Sequence, residues 1–174
     1  MNLTTILKGL TIAFLLMSIN VKAQIDTTAL KTIKGITDKS LELLSVPIGE
    51  DPDWDEYRNL FLPTTQKYSL DPTARRGREV LSWNLEEFIR NVGPLFGRDG
   101  FEEYSIGLTY HEYNGVAIAF QAYHSKNLLG TYEKRGVNTY QLVFKEDRWW
   151  IVNGLFVNED PNNKIPEQYI IENE

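Results

Sequence analysis

The chain has 174 residues, with 18 basic against 24 acidic side chains, a net charge of −6 and no cysteine. Without cysteine, disulfides, thiol nucleophiles, thiolate metal sites and iron–sulfur chemistry are excluded. An acidic chain with no basic stripe also argues against nucleic acid or an anionic membrane surface as partner.

Residues 1–23 have the layout of a secretory signal peptide. Lys8 supplies the basic segment, residues 10–19 the apolar run, and Val21-Lys22-Ala23 a small-x-small cleavage site before Gln24. The run is too short to span a bilayer, so the sequence predicts export to the periplasm or beyond, with no membrane attachment after cleavage. Removing Lys8 and Lys22 takes the net charge to −8. A single domain is expected over residues 24–158, long enough to bury a core. Residues 159–174, with Pro161 and Pro166, read as an irregular tail.

Thr27 or Thr28 can cap a first helix running to about Ser45, because Leu30, Ile33, Ile36, Leu41 and Leu44 recur at helical spacing before Pro47. Asp51-Pro52 suits the start of a second helix, with Trp54, Tyr57 and Phe61 on its apolar face and Pro63 at its end. Segments 66–70 and 79–83 read as short extended pieces. The polar loop between them carries Arg75, Arg76 and Arg78, a solvated turn in preference to a phosphate site. Asn84 and Glu87 make a capping box for a third helix, which turns Phe88, Ile89 and Val92 inward until Gly93-Pro94 closes it.

The rest is strand. Residues 102–113 and 116–126 flank Asn114-Gly115, a strong hairpin signal because both central positions of a type I′ turn need φ > 0. Residues 132–144 and 149–157 flank the polar turn 145–148. Helices first and a meander last make an α+β domain with helices over one sheet face. A two-residue turn pairs residues 114 and 115 outward, which sets His124 opposite Ser105 and puts His111 roughly 20 Å away on the same face. The two histidines are then too far apart for a metal site. The same arithmetic in the last hairpin sets Tyr140 against Asn153 and Phe144 against Trp149. In these registers no strand carries an acid on the apolar pocket face. No Ser-His-Asp order, phosphate loop or dinucleotide fingerprint is present.

The helix-opening Asn84-Leu85-Glu86-Glu87-Phe88-Ile89 and the acidic turn followed by Trp149-Trp150-Ile151 resemble the nuclear transport factor 2-like superfamily, which includes ketosteroid isomerase, scytalone dehydratase and SnoaL-type polyketide cyclases. The resemblance implies a cone-shaped curved antiparallel sheet wrapped around two to three N-terminal helices. It also implies a pocket at the open end and, in many members, a homodimer across the convex face. Enzymes of this kind use a carboxylate or histidine base with Tyr or Asp donors; the candidates here are His111 or Asp55 as base and Tyr140 as donor. Asp53, Asp55 and Glu56 are more economically read as a solvated face, with Asp53 favouring the helix N-terminus. Trp54, Tyr57, Phe88, Tyr140 and Asn153 are the candidate ligand-binding residues, with Trp149 in the core. The leading expectation is an exported, non-catalytic domain that binds a small apolar molecule and uses no cofactor and no metal. The alternatives are a cofactor-free isomerase, dehydratase or cyclase, and a structural dimerisation module, since one such scaffold hosts all three.

Overall fold

Thr32 opens the first helix. Its backbone is extended, and its hydroxyl accepts from the Gly35 amide at 3.0 Å, starting α1 at Ile33–Glu42. A separate 3-10 turn, Ala29–Lys31, precedes it, so the helix does not run back to Thr28. The computed structural model describes residues 27–71 and 79–171. The leader and Arg75, Arg76 and Arg78 lie outside these described residues.

The second helix is shorter and starts later than its apolar face suggests. Asp53, not Asp51, caps it, accepting from the amides of Asp55 and Glu56 at 3.1 and 2.9 Å. Helix α2 spans only Trp54–Arg58, and Phe61 already belongs to strand β1, Phe61–Asp71. Pro63 therefore sits in a strand. It is tolerated because the β1 register is irregular between Phe61 and Gln66, where no ladder amide is required of it.

Strand β2 (Glu79–Asn84) leads into α3 (Leu85–Asp99) through the expected reciprocal capping box. Gly93-Pro94 does not end this helix. Pro94 costs one amide donor, and the missing Gly93 side chain lets Trp54 lie against the helix; a Cβ there would reach Trp54 within 2.8 Å. Phe96 stays buried one turn later, and the helix stops at Gly100, where φ is +62°.

Strands β3 (Phe101–Tyr113), β4 (Val116–Asn127), β5 (Glu133–Lys145) and β6 (Arg148–Asn158) complete a six-stranded curved, unclosed sheet in the order β2-β1-β6-β5-β4-β3. The expected meander is present, with one departure from a wholly antiparallel sheet. The chain returns so that β1 and β6 run the same way, and they pair in parallel. Both hairpins have two-residue turns with positive φ, Asn114-Gly115 at 49° and 79° and Glu146-Asp147 at 56° and 61°. The 3-10 turn Glu167–Tyr169 brings the tail back onto the body. Tyr169 stacks on Phe120, and Ile171 accepts from the Leu108 amide on the free edge of β3.

Two bulges decide which side chains face the helices. In β3 the pairing follows the turn as far as Gly107 opposite Ala122, then slips by one at Ile106, so that Tyr104, not Ser105, faces His124. In β6 the slip falls at Val152, so Asn153 pairs with Gln141 and Tyr140 with Gly154. Each slip turns every residue beyond it to the opposite face.

Candidate functional site

The space between helices and sheet is packed at one end and hollow at the other. Leu30, Ile36, Leu60, Leu142 and Ile151, each at most 2% exposed, fill the end near the two hairpin turns. Towards the opposite strand ends lies a cavity of about 320 Å³. Leu41, Leu44, Phe88, Val92, Phe96 and Phe156 give it apolar walls. A few polar groups converge inside it, which is the usual make-up of a small-molecule site. Exposed Leu95 and Arg98 stand at its mouth.

Glu103 is one of the polar groups that line this cavity. Beyond the Ile106 bulge, the residues of β3 that face the helices are Phe101, Glu103 and Ser105, opposite Asn127, Ser125 and Tyr123. Without the bulge, Glu103 would face the other way. The strand is clipped in place from the turn after α1: the Ser45 hydroxyl accepts from the Glu103 amide (2.9 Å) and donates to its carbonyl (3.2 Å). Val46 exchanges both backbone hydrogen bonds with Phe101. Burial pushes the Glu103 carboxyl up to about 7, the positive charge of Lys67 opposing. The carboxyl in turn disfavours ionisation of Tyr57, Tyr123, Tyr132 and Tyr140, so it lies within electrostatic range of four phenols.

Lys67 comes from the opposite side, on β1. Its ammonium nitrogen lies 4.0 Å from the Phe88 ring centre, 5.0 Å from that of Tyr57 and 5.2 Å from that of Phe61, and it hydrogen-bonds the Tyr57 hydroxyl. Burial lowers it to about 7, against the pull of Glu103. Lys67 and Glu103 therefore face a common hollow without forming a direct ion pair. Tyr140 is held by Ser40 (3.1 Å) and donates to Gln121 Oε1 (3.4 Å), while Gln121 donates onward to Asp38 (2.9 Å). Burial pushes its phenol upward, the Ser40 bond opposing. Tyr123 donates to Asn158 at 2.8 Å.

Of the residues singled out from the sequence, Tyr57, Phe88 and Tyr140 line this cavity. Trp54 packs behind it, edge-on to Tyr57. Asn153 is on the outer face, donating to Gln141 at 2.9 Å, because the Val152 bulge separates it from Tyr140. Asp55 is exposed and paired with Arg58 at 3.1 Å. His111 is exposed on the outer face, and His124 on the same face bonds Glu133 at 2.8 Å. The expectation that no strand carries an acid into the pocket is corrected by Glu103. A glycine inside a strand, here Gly107, is the sequence signal of a bulge that could have found it.

The sequence matches no protein-family model and no curated protein. Solved structures with the same architecture are numerous. A nuclear transport factor 2-like superfamily protein of Salmonella enterica superposes with a TM-score of 0.56 at 15% identity, covering 77% of this chain and 93% of that one. The fold is nuclear transport factor 2-like. A candidate dehydratase of that family from Streptomyces avermitilis gives a TM-score of 0.57 at 12% identity, covering 76% of this chain and 97% of its own. A candidate scytalone dehydratase from Novosphingobium aromaticivorans gives 0.55 at 10% identity, covering 76% and 85%. The nuclear transport factor 2-like fold is thus shared with proteins described as dehydratases and with others of unknown function.

Proposed function

We propose that the protein is a cofactor-free acid–base enzyme acting on a small, mostly apolar carbonyl compound, of the isomerase, dehydratase or cyclase class. The observation that carries this reading is the pair of opposite ionisable groups, buried Lys67 and half-buried Glu103, facing the cavity from opposite strands without closing on each other. A purely structural pair would be joined, since an unjoined buried charge costs stability for no return in packing. Two titratable groups moved towards neutrality from opposite sides are instead suited to exchanging protons with a third molecule.

In this mechanism the Glu103 carboxylate takes a proton from the carbon next to the substrate carbonyl. Negative charge moves onto the carbonyl oxygen, where the Tyr57 and Tyr140 hydroxyls and the Lys67 ammonium can receive it. The protonated Glu103 then returns the proton to a different carbon or to a leaving hydroxyl. The aromatic walls hold the hydrocarbon part and exclude water. The simpler binding role expected from composition draws support from the same apolar lining, but it leaves the two ionisable groups unexplained.

The test is solvent-deuterium uptake by small cyclic and aryl-substituted ketones, followed by proton NMR. Wild type is expected to speed exchange at the carbon next to the carbonyl by about 10²–10⁴ over E103Q. Ketones that bind the cavity yet exchange equally fast with both proteins would reduce the protein to a carrier. Export to the periplasm or beyond, which rests on the pattern of residues 1–23, belongs to the same proposal; secretion of the full chain in its host checks it.

A further inference from the structure

We propose that Lys67 is a covalent amine, forming a Schiff base with an aldehyde or ketone admitted to the cavity. This rests on the functional reading above and extends it by naming the atom that holds the substrate.

The geometry around Nζ is that of a nucleophile kept dry. Three aromatic rings lie within 5.2 Å of the nitrogen, no carboxylate is bonded to it, and its hydrogen-bond partner is the Tyr57 hydroxyl. A lysine that only balanced charge would be joined to Glu103. One that only bound an anion would lose strength from an acid facing the same hollow. Neither objection touches an amine that must be neutral to attack, with an acid–base group facing the same cavity. Its lowered proton affinity supplies the neutral form at physiological pH.

The step balances without an oxidant or reductant. The Lys67 lone pair forms a C–N bond to the carbonyl carbon, and the C=O π pair moves to oxygen, which takes a proton from the Glu103 acid. The added nitrogen loses a proton to the Glu103 carboxylate. Glu103 then protonates the hydroxyl, which leaves as water through the mouth beside Leu95 and Arg98 as the C=N bond forms. The net change is amine, carbonyl and the Glu103 proton to protonated imine, water and the Glu103 carboxylate. That protonated imine acidifies the neighbouring C–H, whose proton the Glu103 carboxylate takes to give an enamine. The walls, with Phe88, Phe96 and Phe156, suit an aryl or alicyclic carbonyl compound in preference to a sugar.

The experiment is trapping with benzaldehyde, and separately phenylacetone, in the presence of cyanoborohydride at pH 7, with peptide mapping by mass spectrometry. The peptide bearing Lys67 is expected to gain one reduced adduct at least about tenfold faster than any exposed lysine, such as Lys126. The K67R variant, which keeps a cation, should lose that label while its exposed lysines react as before. Labelling of Lys67 no faster than of Lys126 would overturn the proposal. Wild-type deuterium exchange without a Lys67 adduct would also overturn it, while leaving Glu103 chemistry standing. A Lys67 adduct with exchange indifferent to E103Q would support the covalent lysine and overturn the acid–base function.

Discussion

One layer of side chains separates the helices from the sheet, and its two ends are built on opposite rules. Near the hairpin turns, Leu30, Ile36, Leu60, Leu142 and Ile151 form a cluster of apolar, almost wholly buried side chains. Towards the other strand ends the same layer contains a hollow, a carboxyl, an ammonium and several phenols. Stability and chemistry have been separated along the strand axis. The filled end offsets what the hollow end costs, because burying an apolar side chain contributes about 1.5–3 kcal/mol while unpaired buried ionisable groups subtract. A nuclear transport factor 2-like sheet suits this division, since its curvature lets one end close on α1 while the other stays open beneath α3.

The largest effect is expected at the filled end. The I151A substitution removes a fully buried side chain from a place that α1, Leu60 and β5 cannot collapse into. A loss of about 2–5 kcal/mol is expected from urea unfolding. A loss below about 1 kcal/mol would mean that the packed end relaxes as freely as the hollow one, and the division would not hold.

The next largest effect comes from the two charges in the cavity. Glu103 titrates near 7 against an ordinary 4.5, so the folded protein holds the extra proton between those values. Its contribution therefore falls as pH rises from about 4.5 to 7, and the penalty is complete above 7. Lys67 titrates near 7 against an ordinary 10.5, so the unfolded chain holds the extra proton across that window. Its penalty is complete below 7 and is relieved as pH climbs towards 10.5. Stability should pass through a minimum near neutrality. The double variant K67M/E103Q should flatten that minimum and be anywhere from unchanged to about 4 kcal/mol more stable at pH 7. Unfolding curves at pH 5, 7 and 9 read this directly. A wild-type profile without the neutral dip would show both groups to be well solvated.

These two ends were unequally legible in the sequence. The filled end follows from periodicity: Leu30, Ile33, Ile36 and Leu41 recur at helical spacing, and Leu142 and Ile151 alternate in strands. The turns were legible too, because Asn114-Gly115 needs a conformation few residues adopt. The hollow end was hidden by two single-residue slips. Ile106 and Val152 each invert the alternation beyond them, which brings Glu103 into the cavity and takes Asn153 out of it. Gly107 and Gly154, each inside a strand, were the cues. Lys67 offered none, since Gln66, Lys67 and Ser69 form no apolar alternation, and only the pairing of β1 with β6 fixes which way it faces. The chain's own grammar records packing well because packing repeats; a site built on exceptions to the repeat leaves little periodic trace.

The smallest effect lies over the cavity, where α3 supplies Phe88, Val92 and Phe96 to the wall. Its first turn is fixed by Asn84, which accepts from the Glu87 amide at 2.9 Å while Glu87 accepts from the Asn84 amide at 3.0 Å. The N84A substitution removes the first bond outright and leaves the second without its geometric partner. A cost of about 1 kcal/mol is expected. If the hollow end is the less stable half of the layer, that cost should appear first as faster amide exchange in α3, with protection in β5 and β6 little changed. Equal loss of protection throughout would show that α3 and the packed end open together, and that the two ends, though built differently, are one cooperative unit.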